Sequence, residues 1–177
     1  MSGEKNSKGG DGAPQVGIVM GSDSDLDIMN ETAAMLKKFQ IPYEMTVASA
    51  HRSPQRAAEF AGSALKKGLK VIIAGAGHAA HLAGVLAAHT YLPVIGVPID
   101  SSCLQGLDAL LATVQMPPGI PVATMAIGKP GARNAGILAA QIIATSDPEL
   151  GHKLATFKQE MASQVEKKAH ALKHASR

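Results

Sequence analysis

The sequence predicts an α/β protein in which helices cover both faces of a parallel sheet. Short apolar runs typical of buried strands alternate with helical segments five times, and one further helical segment follows. The length of 177 residues favours a single domain, and 46% of the residues are hydrophobic, which is enough for a core. Because crossovers between parallel strands are right-handed, few topologies remain. We expect a flavodoxin-like three-layer α/β/α sandwich, with five strands in the order 2-1-3-4-5 and an extra C-terminal helix.

Each strand is predicted from a short run of apolar residues, such as VGIVM at residues 16–20 and KVIIA at residues 70–74. Pro42 and the Pro117-Pro118-Gly119 turn separate two of the strands from the helices that precede them. The predicted strands are, in chain order, residues 16–20, 43–48, 70–74, 93–97 and 120–127.

Each helix is predicted from its end signals and its apolar residues. Ser24 or Asp25 can cap the first helix, Pro54 suits the first turn of the second, and Gly68 suits its C-terminal end. The third and fifth helices consist of small apolar residues without a clear polar face, which predicts that they pack at subunit contacts. The predicted helices are residues 24–39, 54–67, 79–89, 102–113, 134–145 and, as the extra C-terminal helix, about 149–175.

Composition argues against several classes of function. The formal net charge is only +3 and aromatic residues make up 3% of the chain, so nucleic-acid binding is not expected. No run of about 18 apolar residues is present, so no membrane span is expected. A single cysteine, Cys103, suits a reducing cytoplasm, and its surroundings do not indicate a nucleophile. Residues 1–14 are polar and glycine-rich, so we expect a disordered extension followed by one domain at 15–177.

Polar and glycine-rich segments follow each of the first three predicted strands. An open parallel sheet binds its ligand at the carboxyl ends of its strands, near the point where the strand order reverses. These segments are therefore predicted to converge on one small molecule. They are Gly21-Ser22-Asp23-Ser24-Asp25, Ser49-Ala50-His51-Arg52-Ser53-Pro54 and Gly75-Ala76-Gly77-His78-Ala79-Ala80-His81.

The first two segments offer groups that bind phosphate and sugar and that transfer protons. Ser22 beside a helix N-terminus suits a phosphate, and Asp25 can accept hydrogen bonds from ribose hydroxyls, although helix capping by Ser24 or Asp25 explains the same residues. Arg52 suits a phosphate or a carboxylate. His51 suits proton transfer, because the ordinary pKa of histidine lies near neutral pH. The alternative is an ordinary surface histidine beside a surface arginine.

The third segment has a backbone that can fold into an anion-binding nest, because it contains two glycines. His78 and His81, with His51 or His89, also suggest a metal site. No acidic or cysteine ligand lies nearby in the sequence, so we expect no metal. For His81 and His89, a buried imidazole with satisfied hydrogen bonds is the commoner outcome.

Other candidate motifs are absent or ambiguous. The glycine spacing matches neither a dinucleotide fingerprint nor a Walker A loop. Lys129 and Arg133 follow the fifth predicted strand, where they either close the site from its far side or belong to an ordinary turn.

Taken together, these segments resemble the class I N5-carboxyaminoimidazole ribonucleotide mutases of de novo purine synthesis. The resemblance covers roughly residues 16–150 and is specific, because the SAHR segment occurs together with GSDSD and with VQMP followed by GIPV. The matching stretches are VGIVMGSDSD (16–25), VASAHRSP (47–54), VIIAGAG (71–77), AAHLAG (79–84), PVIGVP (93–98), VQMPPGIPVATMAIG (114–128) and NAGILAAQI (134–142).

The resemblance implies a homo-octamer of flavodoxin-like subunits that uses no metal or organic cofactor. It implies a small-molecule substrate, a carbamate of aminoimidazole ribonucleotide, whose carboxyl group moves from the exocyclic amine to the adjacent ring carbon. By the same resemblance, His51 handles the proton, while Ser22, Asp25 and Arg52 hold ribose and phosphate. The remaining substrate-binding residues would be Ser49, Gly75, Ala76, Gly77 and His81.

The chain departs from the pattern of these mutases at two positions. His78 stands where they commonly have glycine, and Ala83 stands where they have proline. A side chain at position 78 is strained if the backbone φ there is positive.

Three alternatives to the mutase remain at this point. The nearest is the class II relative, which carboxylates aminoimidazole ribonucleotide directly with carbon dioxide; Arg52 and the AAHL segment favour class I. The others are a non-catalytic nucleotide-binding module and a purely structural oligomer.

Overall fold

Six strands form one sheet in the computed structural model, which describes residues 7–9 and 12–175. The sheet order is β1-β3-β2-β4-β5-β6, and the neighbours from β3 to β6 pair in parallel. This confirms the predicted order 2-1-3-4-5. The strands are β1 (Ser7–Gly9), β2 (Val16–Met20), β3 (Tyr43–Val47), β4 (Val71–Gly77), β5 (Val94–Ile99) and β6 (Ala123–Thr124).

Strand β1 is not among the predicted strands; it pairs antiparallel with β3 at the edge of the sheet. The rest of the predicted disordered extension, apart from residues 12–14, lies outside the described residues. The disorder of that extension and the single domain at 15–177 therefore stay predictions.

Helices cover both faces of the sheet. Ile18 and Ile73 point towards α1 and α5, whereas their neighbours Val19 and Ile72 point towards α2 and α3. Both faces are buried, which explains why the strands are continuous apolar runs. Within the described residues, no helix has the length and apolarity needed to cross a membrane. The helices are α1 (Leu26–Lys38), α2 (Pro54–Ala64), α3 (Leu82–Ala88), α4 (Leu107–Val114), α5 (Gly128–Ala144) and α6 (Pro148–Ala175).

Several elements are shorter than predicted. The third helix contains Leu82–Ala88 instead of residues 79–89. The helix expected from residue 102 begins only at Leu107, because Gln105 and Gly106 have left-handed backbone conformations, with φ of 52° and 85°. The strand expected at residues 120–127 contains only Ala123–Thr124. Pro121 has no N–H to donate to a ladder, which limits this strand at its start.

The fifth helix begins earlier than the predicted residue 134, at Gly128. Pro130 lies in its first turn, where the backbone N–H would have no helical partner, so the proline does not interrupt it. Lys129 and Arg133 therefore lie on a helix. Lys129 Nζ is 2.8 Å from an oxygen of Asp27, and Arg133 Nη2 is 2.7 Å from an oxygen of Glu31. Both pairs join α5 to α1.

Helices α1 and α5 pack closely through small residues of α5. The Thr32 hydroxyl of α1 donates a hydrogen bond of 2.7 Å to the carbonyl oxygen of Ala132. Two alanines of α3 are likewise buried inside the subunit, whereas Ala88 is exposed. Burial inside the subunit accounts for part of the missing polar faces, and the predicted subunit contacts of both helices stay a prediction. The buried small residues are Ala132, Ala135, Gly136, Ala139 and Ala140 of α5, and Ala83 and Ala87 of α3.

Gly136→Ala is expected to lower the free energy of unfolding by about 1–3 kcal/mol, because the closest neighbours of an added Cβ belong to α1. That Cβ would lie 2.9 Å from both Met35 Cβ and the carbonyl oxygen of Thr32. Gly62→Ala is the matched control: it lies in α2, has nothing within 4 Å, and should gain about 0.5–1 kcal/mol. Urea unfolding measures both, and equal responses would contradict the close packing of α1 on α5.

Candidate active site

The three polar segments meet in a pocket at the carboxyl ends of the parallel strands. Met20 of β2 is in register with Val47 of β3 and with Gly75 of β4, so the three strands reach the same level. The cavity has a volume of about 400 Å³, and residues of all three segments line it. This volume is within the range of small-molecule sites.

The first segment is folded by a reciprocal cap. Ser22 Oγ accepts a hydrogen bond of 3.4 Å from the N–H of Ser24, and the Asp25 carboxylate accepts one of 3.2 Å from the N–H of Ser22. Ser22 therefore caps the short 3-10 turn Asp23–Asp25 that precedes α1. Neither Ser24 nor Asp25 caps α1 itself by a side-chain hydrogen bond. Both Ser22 and Asp25 also line the pocket.

Asp25 is a buried carboxyl group, with only 5% of its surface exposed. Burial raises the pKa of Asp25 above its ordinary value, because the charged form loses solvation. Hydrogen bonds from Ser22 and Ser24, and the nearby His78, act in the opposite direction on this pKa. The side chain thus lies at the pocket wall with its charge disfavoured by the surroundings.

Hydrogen bonds within the second segment hold its conformation, and one further hydrogen bond joins it to the first segment. Ser49 Oγ accepts a hydrogen bond of 3.1 Å from the N–H of Arg52, and Ser53 Oγ accepts one of 2.9 Å from the N–H of Ser49. The Arg52 guanidinium donates to the carbonyl oxygen of Gly21, at 3.3 Å. These bonds leave His51 and Arg52 exposed at the pocket.

The glycines of the third segment belong to β4 and do not form a loop nest. Gly75 pairs with Val97 of β5, and the Gly75 carbonyl oxygen accepts a hydrogen bond of 3.0 Å from the N–H of Gly21. Gly75 is buried and does not line the pocket, whereas Ala76 and Gly77 do. A Cβ at position 75 would overlap the side chain of Met29 in α1, so the close packing at this position favours glycine.

His51 and His81 form a hydrogen-bonded pair. His51 Nε2 lies 2.9 Å from His81 Nδ1, and the ring planes are at 80° to each other. One nitrogen must donate and the other accept, so the tautomers of the two rings are coupled. Both rings are exposed at the pocket, and His89 is exposed outside it. The expectation of buried imidazoles at His81 and His89 is therefore wrong.

His78 has the positive φ that would strain a side chain, at 55°. Its Nδ1 lies 3.2 Å from the hydroxyl oxygen of Ser101, and both residues line the pocket. Residues other than glycine adopt this conformation uncommonly, although asparagine, aspartate and histidine do so more often than the rest. A strained residue at a pocket wall is a frequent feature of functional sites.

Sequence reasoning missed Ser101, which brings a fourth strand end into the pocket. The available signal was position, because Ser101 follows β5 just as the other segments follow their strands. Cys103, Lys129 and Arg133 do not line this pocket. Among the residues that the structure describes, no group of three or more histidine, cysteine or acidic side chains is arranged to hold a metal ion.

Comparison with known proteins agrees with the resemblance found in the motifs and confirms it. The AIR carboxylase family model matches residues 15–164. The chain is 57% identical over 150 residues to N5-carboxyaminoimidazole ribonucleotide mutase of Pyrococcus abyssi, covering 85% of both chains. It is 54% identical over 159 residues to the protein of that name from Thermotoga maritima, covering 90% of this chain and 92% of that one. The crystal structure of Treponema denticola PurE is similar with a TM-score of 0.81 and 28% identity, covering 90% of this chain and 99% of that chain.

Asp25→Asn is expected to raise the melting temperature at neutral and alkaline pH. Because the pKa of Asp25 is raised in the folded state, the ionised carboxylate lowers the free energy of unfolding. This destabilisation disappears as the pH falls from the pKa in the folded state towards the ordinary value of 3.8, because the carboxyl group becomes protonated. The advantage of the variant should therefore shrink over that acidic range. Thermal melts between pH 4 and 8 measure it.

The control for this prediction is Asp27→Asn, which removes an exposed carboxylate of α1. It should show no gain in melting temperature at neutral pH. A lower melting temperature of Asp25→Asn than of the wild type at pH 8 would contradict the assigned penalty.

Proposed function

The chain belongs to the AIR carboxylase family, and we propose that it is a mutase that interconverts N5-carboxyaminoimidazole ribonucleotide and 4-carboxy-5-aminoimidazole ribonucleotide in purine biosynthesis. The observation that carries the proposal is the hydrogen-bonded His51–His81 pair, which opens into a pocket with separate groups for a phosphate and a sugar. A carboxyl-transfer reaction needs both features, because the substrate must be held while one proton is given and another is taken.

The proposed binding mode follows the groups along the pocket wall. Arg52 and the Ser22 hydroxyl bind the phosphate, because a guanidinium and a hydroxyl donate hydrogen bonds to its oxygens. Asp25 accepts hydrogen bonds from the ribose hydroxyls. The aminoimidazole ring lies against Ala76 and Gly77, where a methyl group and a bare Cα leave room for a flat ring. The ring then faces the histidine pair.

The proposed reaction begins when the C–N bond of the carbamate breaks. Carbon dioxide leaves, the electron pair of the bond goes to the exocyclic nitrogen, and His51 donates a proton to that nitrogen. The electron-rich ring carbon beside the amine then attacks carbon dioxide and forms a C–C bond. His51 accepts the proton that this carbon loses, which restores aromaticity. His51 therefore ends the cycle in the protonation state in which it began.

His81 supports this cycle through its hydrogen bond to His51. Two protonated imidazoles at 2.9 Å would repel each other and leave no acceptor, so the pair alternates between a neutral and a singly protonated state. These are the two states that the reaction requires. Leu82 adds an apolar wall to the same part of the pocket, which helps to retain carbon dioxide between the two steps.

The proposal includes no metal or organic cofactor, because the substrate carries its own carboxyl group and imidazole groups handle the protons. It also includes a cytoplasmic location, which suits a chain whose single cysteine, Cys103, cannot form an internal disulfide.

A homo-octamer is part of the proposal, and an exposed apolar stripe on and before α4 supports self-association. The spacing of Leu107, Leu111 and Val114 places them on one face of α4, and Leu104 lies in the turn that precedes the helix. Each is about half exposed in the single subunit, which is unusual for neighbouring large apolar residues. The stripe comprises Leu104 (58% exposed), Leu107 (52%), Leu111 (50%) and Val114 (48%).

His51→Asn is expected to lower kcat by roughly 10²–10⁴-fold or more, because asparagine neither donates nor accepts the proton at neutral pH. The assay supplies either the carbamate or aminoimidazole ribonucleotide with bicarbonate. The matched control is His89→Asn, which removes an exposed histidine outside the pocket and should keep wild-type activity.

The two substrates separate the candidate functions. Fast conversion of the carbamate that His51→Asn abolishes supports the mutase. Use of carbon dioxide from bicarbonate alone would transfer the chain to the direct carboxylases. Turnover of neither substrate would contradict both and favour a binding module.

Leu107→Glu combined with Leu111→Glu is expected to break the assembly, because a carboxylate is costly to bury in an apolar contact. Light scattering should then show a particle smaller than eight times the 18.2 kDa subunit mass. Leu65→Glu, at an exposed leucine outside the stripe, is the control and should leave the mass unchanged. A wild-type mass equal to one subunit would overturn the octamer.

A further inference from the structure

The end of β4 carries a strained residue that the proposed proton transfer does not use. His78 follows the last register pair between β4 and β5, which joins Gly77 to Ile99. Its φ of 55° lies in the left-handed region, where a Cβ is crowded by the following carbonyl. Such a conformation persists only when its surroundings hold it in place.

Ser101 holds this residue from the neighbouring strand end. Its hydroxyl oxygen lies 3.2 Å from His78 Nδ1. The same side chain covers Gly77, because a Cβ at position 77 would overlap the Ser101 hydroxyl. The last paired residue of β4, Gly77, and the residue that follows it, His78, both contact one serine. Either residue alone would be unremarkable, but together they form a built contact between the ends of β4 and β5.

We propose that His78 and Ser101 form a latch that keeps the end of β4 in the shape that binds substrate, which makes His78 a positioning residue for the proposed function. The latch holds the pocket-lining residues that come before and after His78 in the chain. Ala76 and Gly77 come directly before it, and His81, the hydrogen-bonding partner of His51, follows three residues later.

The latch affects binding more than proton transfer. The Nδ1 atom of His78 faces Ser101, whereas the proton-handling rings of His51 and His81 contact each other. If opening of the latch lowers the fraction of molecules that can bind substrate, the apparent dissociation constant rises by the inverse of that fraction. Losing one such hydrogen bond corresponds to a change of roughly three- to tenfold.

The decisive kinetic experiment compares variants of the two partners. His78→Gly and Ser101→Ala should each raise KM for the carbamate roughly three- to tenfold, with kcat within about twofold of the wild type. The double variant should be no worse than His78→Gly alone, because the two residues act through one contact. His78→Asn should restore most of the binding, because asparagine tolerates a positive φ and can hydrogen-bond to a hydroxyl. His89→Asn controls for loss of an exposed histidine and should leave KM unchanged.

A thermal-melt cycle tests the latch without any substrate. Ser101→Ala should lower the melting temperature about 2 °C more in the wild-type background than in the His78→Gly background. His78→Gly should melt above His78→Ala, because both lack the imidazole and only alanine keeps a Cβ at the positive φ.

The two readouts separate failure of the latch from failure of the proposed function. If the wild type turns over neither substrate, the mutase proposal fails and the melt cycle still tests the latch. Additive melting shifts, or KM increases that multiply in the double variant, would overturn the latch. A fall in kcat with a changed pH profile in His78→Gly would also overturn it, by making His78 a proton-transfer residue.

Discussion

Parallel pairing of β2 with β3 and β4 is the constraint on which the rest of the molecule depends. In a parallel ladder every strand runs the same way, so the residues that leave the sheet at its carboxyl edge are brought together whatever their distance along the chain. Met20, Val47 and Gly75 lie at one level of this ladder. The register of the sheet therefore sets the point at which each following segment leaves it, from the capped turn at Ser22 to the segments of the histidine pair.

The strand order could be predicted because apolar runs, proline and glycine signals and right-handed crossovers all agree. The boundaries that failed depend on contacts distant in sequence. The early start of α5 is stabilised by ion pairs from Lys129 and Arg133 to α1, which no local pattern reveals. The left-handed backbone at Gln105 is unusual for glutamine, so the late start of α4 could not be predicted from the sequence either. The edge strand β1 is only three residues long and has no apolar pattern.

The candidate site could be predicted as a set of segments but not as a geometry. Position at strand ends indicated Ser22, Asp25, His51 and Arg52, which all line the pocket, but it left helix capping and an ordinary surface histidine open as alternatives. It could not show that Gly75 serves packing against Met29, since glycine suits a close approach and a flexible loop equally well. The pairing of His51 with His81 joins two segments whose relative orientation depends on the whole sheet. Strain at His78 was predicted only for the case that its φ is positive, because a sequence does not show the value of φ.

The small-residue packing of α5 on α1 has a consequence for the entropy of folding. Alanine and glycine have no rotamers to lose when they are buried, whereas a longer side chain such as methionine loses about 1.5–2 kcal/mol of rotamer freedom. The layer formed by Ala132, Ala135, Gly136 and Ala139 therefore becomes ordered with almost no side-chain penalty. It buries little area per residue, but no loss of side-chain rotamer freedom is subtracted from that gain. A chain with 3% aromatic residues can therefore build a core in this way. The small residues lower the side-chain conformational entropy that folding must remove, and they also bury apolar surface.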